Sequence, residues 1–188
     1  VKPIERTGDR ASKQSRDDYT PKSHYKRSYD IIVLLAAYVL LSPLLLLLWT
    51  GIPLLIWLND RGPIFFVQTR MGQDRRAFRL LKFRTMVPDS TAMGPVWTTE
   101  GDQRVTRLGK VLRKTALDEL PQTLSIWKGD MSLVGPRALE VSEHEMLEAR
   151  ISGFHKRLQI QPGLTGLAQI YNRDDNAKAK LRHDIEYV

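Results

Sequence analysis

From Ile31 to Leu58 the chain runs for 28 residues without an Asp, Glu, Lys, Arg or His. As one α-helix this stretch would reach about 42 Å, more than the ~30 Å hydrocarbon core of a bilayer, and that length predicts a membrane segment. Its interior carries Ser42-Pro43 and then Gly51-Ile52-Pro53. Each proline removes a helix hydrogen bond and crowds the preceding turn. A break near Pro43 leaves halves of 12 and 16 residues, each short of the ~20 that a straight crossing needs. Lys22, Lys26 and Arg27 precede the run, and Arg61, Arg70, Arg75 and Arg76 follow it. The positive-inside tendency therefore draws both ends to the cytoplasmic face. The pattern favours a re-entrant helix-break-helix over residues 25–58, broken at Ser42 and Pro43, with Ser42 satisfying backbone groups freed at the bend. A proline-kinked helix that does span is the competing reading.

Residues 1–24 have mixed charge, few large apolar side chains and no periodicity, which predicts a flexible polar tail rather than a signal peptide. After the turn-like Asn59-Asp60-Arg61-Gly62-Pro63, residues 64–68 and 77–84 read as two short strands of a hairpin around Met71-Gly72-Gln73-Asp74. Residues 87–103, rich in Gly and Pro, read as a loop. Leu108 to Trp127 reads as helix interrupted near Pro121, Lys128–Arg137 as a Gly/Pro-rich connection, Leu139 to Arg157 as helix, and Gln161–Gly166 as turns. The fold class expected is α+β, mostly helical. A small catalytic domain over residues 59–188, with a short β-hairpin and amphipathic helices, follows the membrane segment.

Charge sharpens this layout. The 188 residues carry 29 Lys and Arg against 21 Asp and Glu, a net charge of +8. Residues 59–114 alone contribute +7, against +3 before them and −2 after them. A basic stretch beside an apolar one suits anionic lipid or a phosphorylated substrate. Cysteine is absent, which excludes disulfide scaffolds and thiolate metal sites. A nucleic-acid partner is not expected, because the basic residues lack interleaved aromatics and begin at the membrane segment.

The adjacent acids Asp118 and Glu119 stand just before Pro121, a residue tolerated in the first turn of a helix. They would occupy the cap and first turn, where free amides and the helix dipole favour anions, so a carboxylate there stays ionised. Arg104, Arg107, Lys110, Arg113 and Lys114 lie close by in sequence. Acids beside such cations mark a candidate magnesium-phosphate site, Mg2+ bridging carboxylate and phosphate while arginines take the remaining oxygens. Glu143-His144-Glu145 lacks a zinc-ligand spacing and reads as a solvated helix face, and Trp49 and Trp57 read as interfacial anchors.

Five segments occur in a recognisable order: Ser42-Pro43 in the apolar run, Lys82-Phe83-Arg84-Thr85-Met86, Leu117-Asp118-Glu119-Leu120-Pro121-Gln122, Lys128 to Arg137 (KGDMSLVGPR), and Pro162 to Gln169 (PGLTGLAQ). Together they resemble the bacterial sugar transferases known as monotopic polyprenyl-phosphate phosphoglycosyl transferases, over about residues 25–188. The resemblance implies transfer of a phosphosugar from a UDP-sugar to undecaprenyl phosphate, with release of UMP, at the start of surface-glycan assembly. It implies Asp118 as the nucleophile that forms a covalent phosphosugar-aspartyl intermediate, and Glu119 as a holder of magnesium or of the reacting groups. Lys82 and Arg84 match the family's basic Lys-Phe-Arg positions, and Arg137 matches the arginine of its Pro-Arg motif, a phosphate clamp. Arg113, shortly before the acids, is placed for phosphate contact.

The chain departs from the family pattern at Gln161, where a basic residue is common before Pro-Gly, so that Lys156 or Arg157 would have to supply an anionic contact. It departs again at Ala138 and Leu167. The expected partners are the UDP-sugar, undecaprenyl phosphate and membrane phospholipid, with a homo-oligomer left open. The expected location is the bacterial inner membrane, monotopic, with the catalytic domain on the cytoplasmic face. The competing class is a membrane-anchored scaffold whose basic face grips anionic lipid and whose acids only cap a helix.

Overall fold

The computed structural model describes residues 23–88, 90, 102–171 and 177–187. Most of the expected tail lies outside the described residues, as does most of the expected 87–103 loop. Ser23 and His24, assigned to the tail, instead begin α1.

Two long helices open the structure, α1 at Ser23–Leu40 and α2 at Ser42–Asp60. The break falls at Leu41, one residue before the expected pair, because Pro43 is accommodated in the first turn of α2. Ser42 does not supply the expected cap, its hydroxyl having no partner among the described residues. The backbone closes the break instead, Leu41 N donating to Ala37 O (2.9 Å) and Leu45 N to Leu41 O (2.8 Å). Pro53 does not interrupt α2. At 19 residues α2 is long and apolar enough to cross a membrane by length and composition, unlike the 16-residue half expected. It is not free along that length, however. Ile52 and Ile56 are buried against Phe83 and Leu112, in a cluster that Leu48 and Trp49 join.

The hairpin is present, β1 at Phe65–Met71 paired antiparallel with β2 at Ala77–Phe83, in the register Phe65↔Phe83 to Met71↔Ala77. Strand alternation sends Phe78 and Leu80 into a core with Leu34 of α1, Ile126 and Met131. Phe83 points the other way, stacks on Phe65 and meets the edge of Trp49. That packing corrects the expectation for Trp49, whose indole nitrogen is buried without a partner among the described residues. Trp57 remains exposed, with Arg61 over its ring.

Beyond the hairpin, α3 (Arg107–Lys114) is capped by the Thr106 hydroxyl, which accepts from Gly109 N (2.8 Å). The expected long helix breaks earlier than Pro121, at Ala116, whose left-handed φ of 55° turns the chain into a 3-10 helix, Leu117–Gln122, before α4 (Thr123–Lys128). Two expected turn regions instead hold strands. β3 (Ser132–Val134) and β4 (Gly163–Thr165) pair in parallel, and Gly163 has no room for a Cβ against the backbone of Gly135. The expected 139–157 helix ends as α5 at Val141–Arg150. Gly153, at φ 79°, then leads into a 3-10 helix, Phe154–Gln159. His144 is not on a solvated face: it is fully buried and packs at 5.1 Å against the Phe154 ring. Helices α6 (Leu167–Tyr171) and α7 (Ala177–Tyr187) complete the chain described, Leu181 packing with Leu139 and Phe154.

Both flanks of the apolar run are tied to the same domain. On the α1 side, Asp30 Oδ2 accepts from Ser132 Oγ (2.6 Å) and Tyr38 Oη lies 2.8 Å from Thr123 Oγ1. On the α2 side, Asp60 pairs with Arg84.

Candidate active site

The period of β2 that buries Phe78 and Leu80 places Lys82 on the same face, and the pairing register sets Phe66 directly beside it. This face forms one wall of a cleft of about 730 Å3. Asp118 and Glu119, from the 3-10 helix after Ala116, and Arg137, from the Gly135-Pro136-Arg137 turn, line it as well. Asp118 and Glu119 both lie within the first turn, whose cap is Ala116, so neither acid is itself the expected N-cap. Arg84 and Arg113 also line the cleft. All six residues assigned from the sequence to catalysis, phosphate and metal are thereby brought together.

The two acids have different surroundings. Glu119 Oε1 accepts from Lys82 Nζ at 2.7 Å and from Arg137 Nη2 at 3.1 Å. Asp118 is buried to 8% exposure and makes no side-chain ion pair among the described residues. Burial, the largest influence, raises the Asp118 pKa, Lys82 lowers it, Glu119 raises it and Arg113 lowers it. The result stands above the ordinary carboxylate value. Burial also acts upward on Glu119, but Lys82 and Arg137 outweigh it and hold that carboxyl below its usual value.

The cations divide similarly. Arg113 Nε donates to Thr85 Oγ1 at 2.8 Å, which fixes its side chain at the cleft wall. Arg84 is committed to Asp60 through Nη2, while its Nη1 is buried without a partner among the described residues. Arg157, one of the two suggested replacements for a basic residue at Gln161, is buried and paired with Asp184, so it does not face the cleft. Gln161 turns its amide to Gly129 O.

Gln68 and Arg70 line the cleft too, and sequence reasoning missed them as site residues. Arg70 counted only as a flanking charge. Its Nη1 donates to Ala138 O (3.3 Å), and Gln68 Nε2 donates to Glu140 Oε2 (3.0 Å). The i, i+2 spacing of Phe66, Gln68 and Arg70 on β1 was the available signal once the register with Lys82 is known.

No group of three or more His, Asp or Glu side chains able to hold a metal occurs among the described residues. Magnesium does not require one, since it is commonly held by one or two carboxylates together with substrate phosphate and water. Asp118 and Glu119 fit that requirement, because they share a cleft and both cation contacts of Glu119 fall on a single oxygen, Oε1.

Comparison with known proteins shows the family. The bacterial sugar transferase family matches residues 21–188, and the chain belongs to that family. It is 40% identical over 167 residues to a UDP-N-acetylgalactosamine-undecaprenyl-phosphate N-acetylgalactosaminephosphotransferase of Aeromonas hydrophila, covering 87% of this chain and 38% of that protein. It is 40% identical over 173 residues to the exopolysaccharide production protein PSS of Rhizobium leguminosarum bv. phaseoli, covering 87% and 84%. It is 43% identical over 169 residues to a UDP-glucose:undecaprenyl-phosphate glucose-1-phosphate transferase of Caulobacter vibrioides, covering 87% and 62%. The chain thus spans most of the Rhizobium relative and well under half of the Aeromonas one.

Proposed function

We propose that the protein transfers a phosphosugar from a UDP-sugar to undecaprenyl phosphate, releasing UMP and leaving a polyprenyl-diphosphate-sugar for surface-glycan assembly. The observation that carries this reading is the carboxylate of Asp118, without an ion pair among the described residues, in a cleft shared with Lys82, Arg84, Arg113 and Arg137. The names of the Aeromonas and Caulobacter relatives support the two substrate classes. Convergence of the cations on two acids argues against a scaffold, whose cations would be spread over an exposed face.

In the first step an Asp118 carboxylate oxygen attacks the sugar-side phosphorus. A new P–O bond forms while the bond from that phosphorus to the bridging oxygen breaks, and UMP leaves with the electron pair. In the second step an oxygen of undecaprenyl phosphate attacks the same phosphorus and displaces the Asp118 carboxylate. Asp118 suits the nucleophile's role better than Glu119, since a lone pair already bound to Lys82 and Arg137 is a poor attacking group. Lys82 and Arg137 are placed to neutralise charge on the transferring group, with Arg113 fixed by Thr85 on the same wall. Asp118 and Glu119 would hold Mg2+, which when bound supplies further charge neutralisation on the diphosphate.

The membrane arrangement is proposed as re-entrant, residues 25–58 dipping into one leaflet and domain 59–188 lying at the cytoplasmic face of the inner membrane. Support comes from packing. Since Leu48, Trp49, Ile52 and Ile56 all pack in the domain, only residues 42–47 of α2 precede those contacts, about 9 Å against a ~30 Å hydrocarbon core. The ties at Asp30 and Asp60 place both flanks on one body.

A UMP-release assay across a panel of UDP-sugars, with undecaprenyl phosphate and magnesium, tests the reading. UMP release dependent on one UDP-sugar and on Asp118 supports it. No release with any UDP-sugar, or release indifferent to Asp118→Asn, contradicts it.

A further inference from the structure

Two buried charges lie behind Arg137 and take no part in the proposed reaction. Arg157 and Asp184 are 4% and 3% exposed. Arg157 Nε and Nη2 each lie 2.8 Å from Asp184 Oδ2, and the guanidinium rests over the Phe154 ring at 5.1 Å. Desolvating two ions offsets most of their attraction, so a buried pair is weak evidence of stabilisation and its presence calls for another reason. That reason is a third partner. Arg157 Nη2 also donates to the main-chain carbonyl of Arg137, again at 2.8 Å. Arg157 lies on the Phe154–Gln159 turn and Asp184 on α7, so the last helix reaches the backbone of a cleft residue through one guanidinium.

The turn carrying Arg137 is held on its other side as well. Gly163 N donates to Pro136 O (2.9 Å) and Gly135 N donates to Thr165 O (2.8 Å). Arg137 itself bridges Gly163 in parallel, and the bond from Arg157 adds a side-chain donor to the Arg137 carbonyl. A guanidinium can serve a carboxylate and a carbonyl in two set directions, which a lysine ammonium on a flexible stem cannot reproduce.

We propose that Arg157, oriented by Asp184, is a positioning residue that keeps Arg137 aimed into the cleft, so that α7 completes the active site without touching substrate. The role rests on the proposed reaction. Arg157→Lys preserves the charge opposite Asp184 while removing the fork, and Asp184→Asn removes the charge that orients it.

The test is a double-mutant cycle in UMP release, with thermal melting of each variant alongside. Arg157→Lys is expected to keep a cooperative melt and to lower kcat/KM by about 10- to 100-fold, the scale of an ångström-sized misplacement. Arg137→Ala with Arg157→Lys is expected to be within about 3-fold of Arg137→Ala alone, since no side chain is left to misplace. If Arg157→Lys gives no folded protein, Asp184→Asn carries the same cycle with the same expectation. A variant that melts lower but retains wild-type kcat/KM, or losses that multiply in the double variant, overturns the positioning role and leaves the reaction standing. Wild-type UMP release from Arg137→Ala itself overturns the positioning role together with the part given to Arg137, and leaves the Asp118 reaction standing.

Discussion

Lys82 Nζ sits 2.7 Å from Glu119 Oε1, and this pair separates the roles of two adjacent acids. With Arg137 on the same oxygen, Glu119 is neutralised in place. Asp118, one residue earlier, is left facing the cleft with a carboxylate that burial makes costly to ionise.

That cost has a sign. A carboxyl whose folded pKa is raised contributes stability that is fully present below its unfolded pKa and is lost as pH rises through the folded value. Asp118→Asn is therefore expected to melt higher than wild type at pH 7 to 8, with the gap narrowing as pH falls toward 4. Its UMP release is expected to fall by at least about 1000-fold, the scale seen on removing a nucleophile. Thermal melts across pH, paired with the assay, check both halves. In wild type, activity should be lost on acidification at a pH above the ordinary aspartate value of 3.8, because the protonated acid cannot attack.

Glu119→Gln is expected to behave oppositely. Its lowered pKa means stability present above the unfolded pKa and lost as pH falls through the folded one. Leaving Lys82 and Arg137 without their shared carboxylate should cost about 1–3 kcal/mol at pH 7, and kcat/KM should fall by about 10- to 100-fold. Urea unfolding at pH 7 and at pH 3.5 measures the first, the difference shrinking at the lower pH.

Much of the cleft was legible in the sequence because it depends on local periods. Lys82 and Arg84 stand in the Lys-Phe-Arg motif at the end of the second hairpin strand, and Asp118-Glu119 before Pro121 marks the opening of a helical turn. The break of the apolar run was legible to within one residue for the same reason, Pro43 needing the first turn of a helix. What escaped notice depends on contacts distant in sequence. The three-residue strands β3 and β4 pair only because Gly135 and Gly163 let two backbones touch, a fact invisible to windows of local pattern. His144 looks solvated in sequence and Arg157 looks free for an anionic contact, yet Phe154 and α7 bury them. Gln68 and Arg70 enter the site through the register of β1 against β2.

The close approach at Gly163 makes its own prediction. A Cβ there would meet Gly135 N and Thr165 O, both backbone atoms that cannot move aside cheaply. Gly163→Ala is expected to destabilise the protein by about 1–3 kcal/mol and to displace the Arg137 turn, lowering activity further than the lost folded fraction explains. Urea unfolding together with specific activity per folded molecule measures both effects.

Membrane topology is accessible because the chain has no cysteine to remove. Single cysteines at Tyr25 and at Asn59, both exposed, flank the apolar run. A re-entrant segment leaves both open to an impermeant maleimide from the cytoplasmic side of sealed vesicles, and neither from the other side. Labelling of the two positions from opposite sides would establish a spanning helix.

The most direct test of the central claim is the mass of the Asp118 peptide after incubation with magnesium and either UDP-glucose or UDP-N-acetylgalactosamine, the acceptor being omitted. With the sugar it uses, the wild-type protein is expected to release about one UMP per active site and to carry a phosphosugar on Asp118, which added undecaprenyl phosphate then removes. An adduct on any other residue, or UMP release by Asp118→Asn at the wild-type rate, would contradict it.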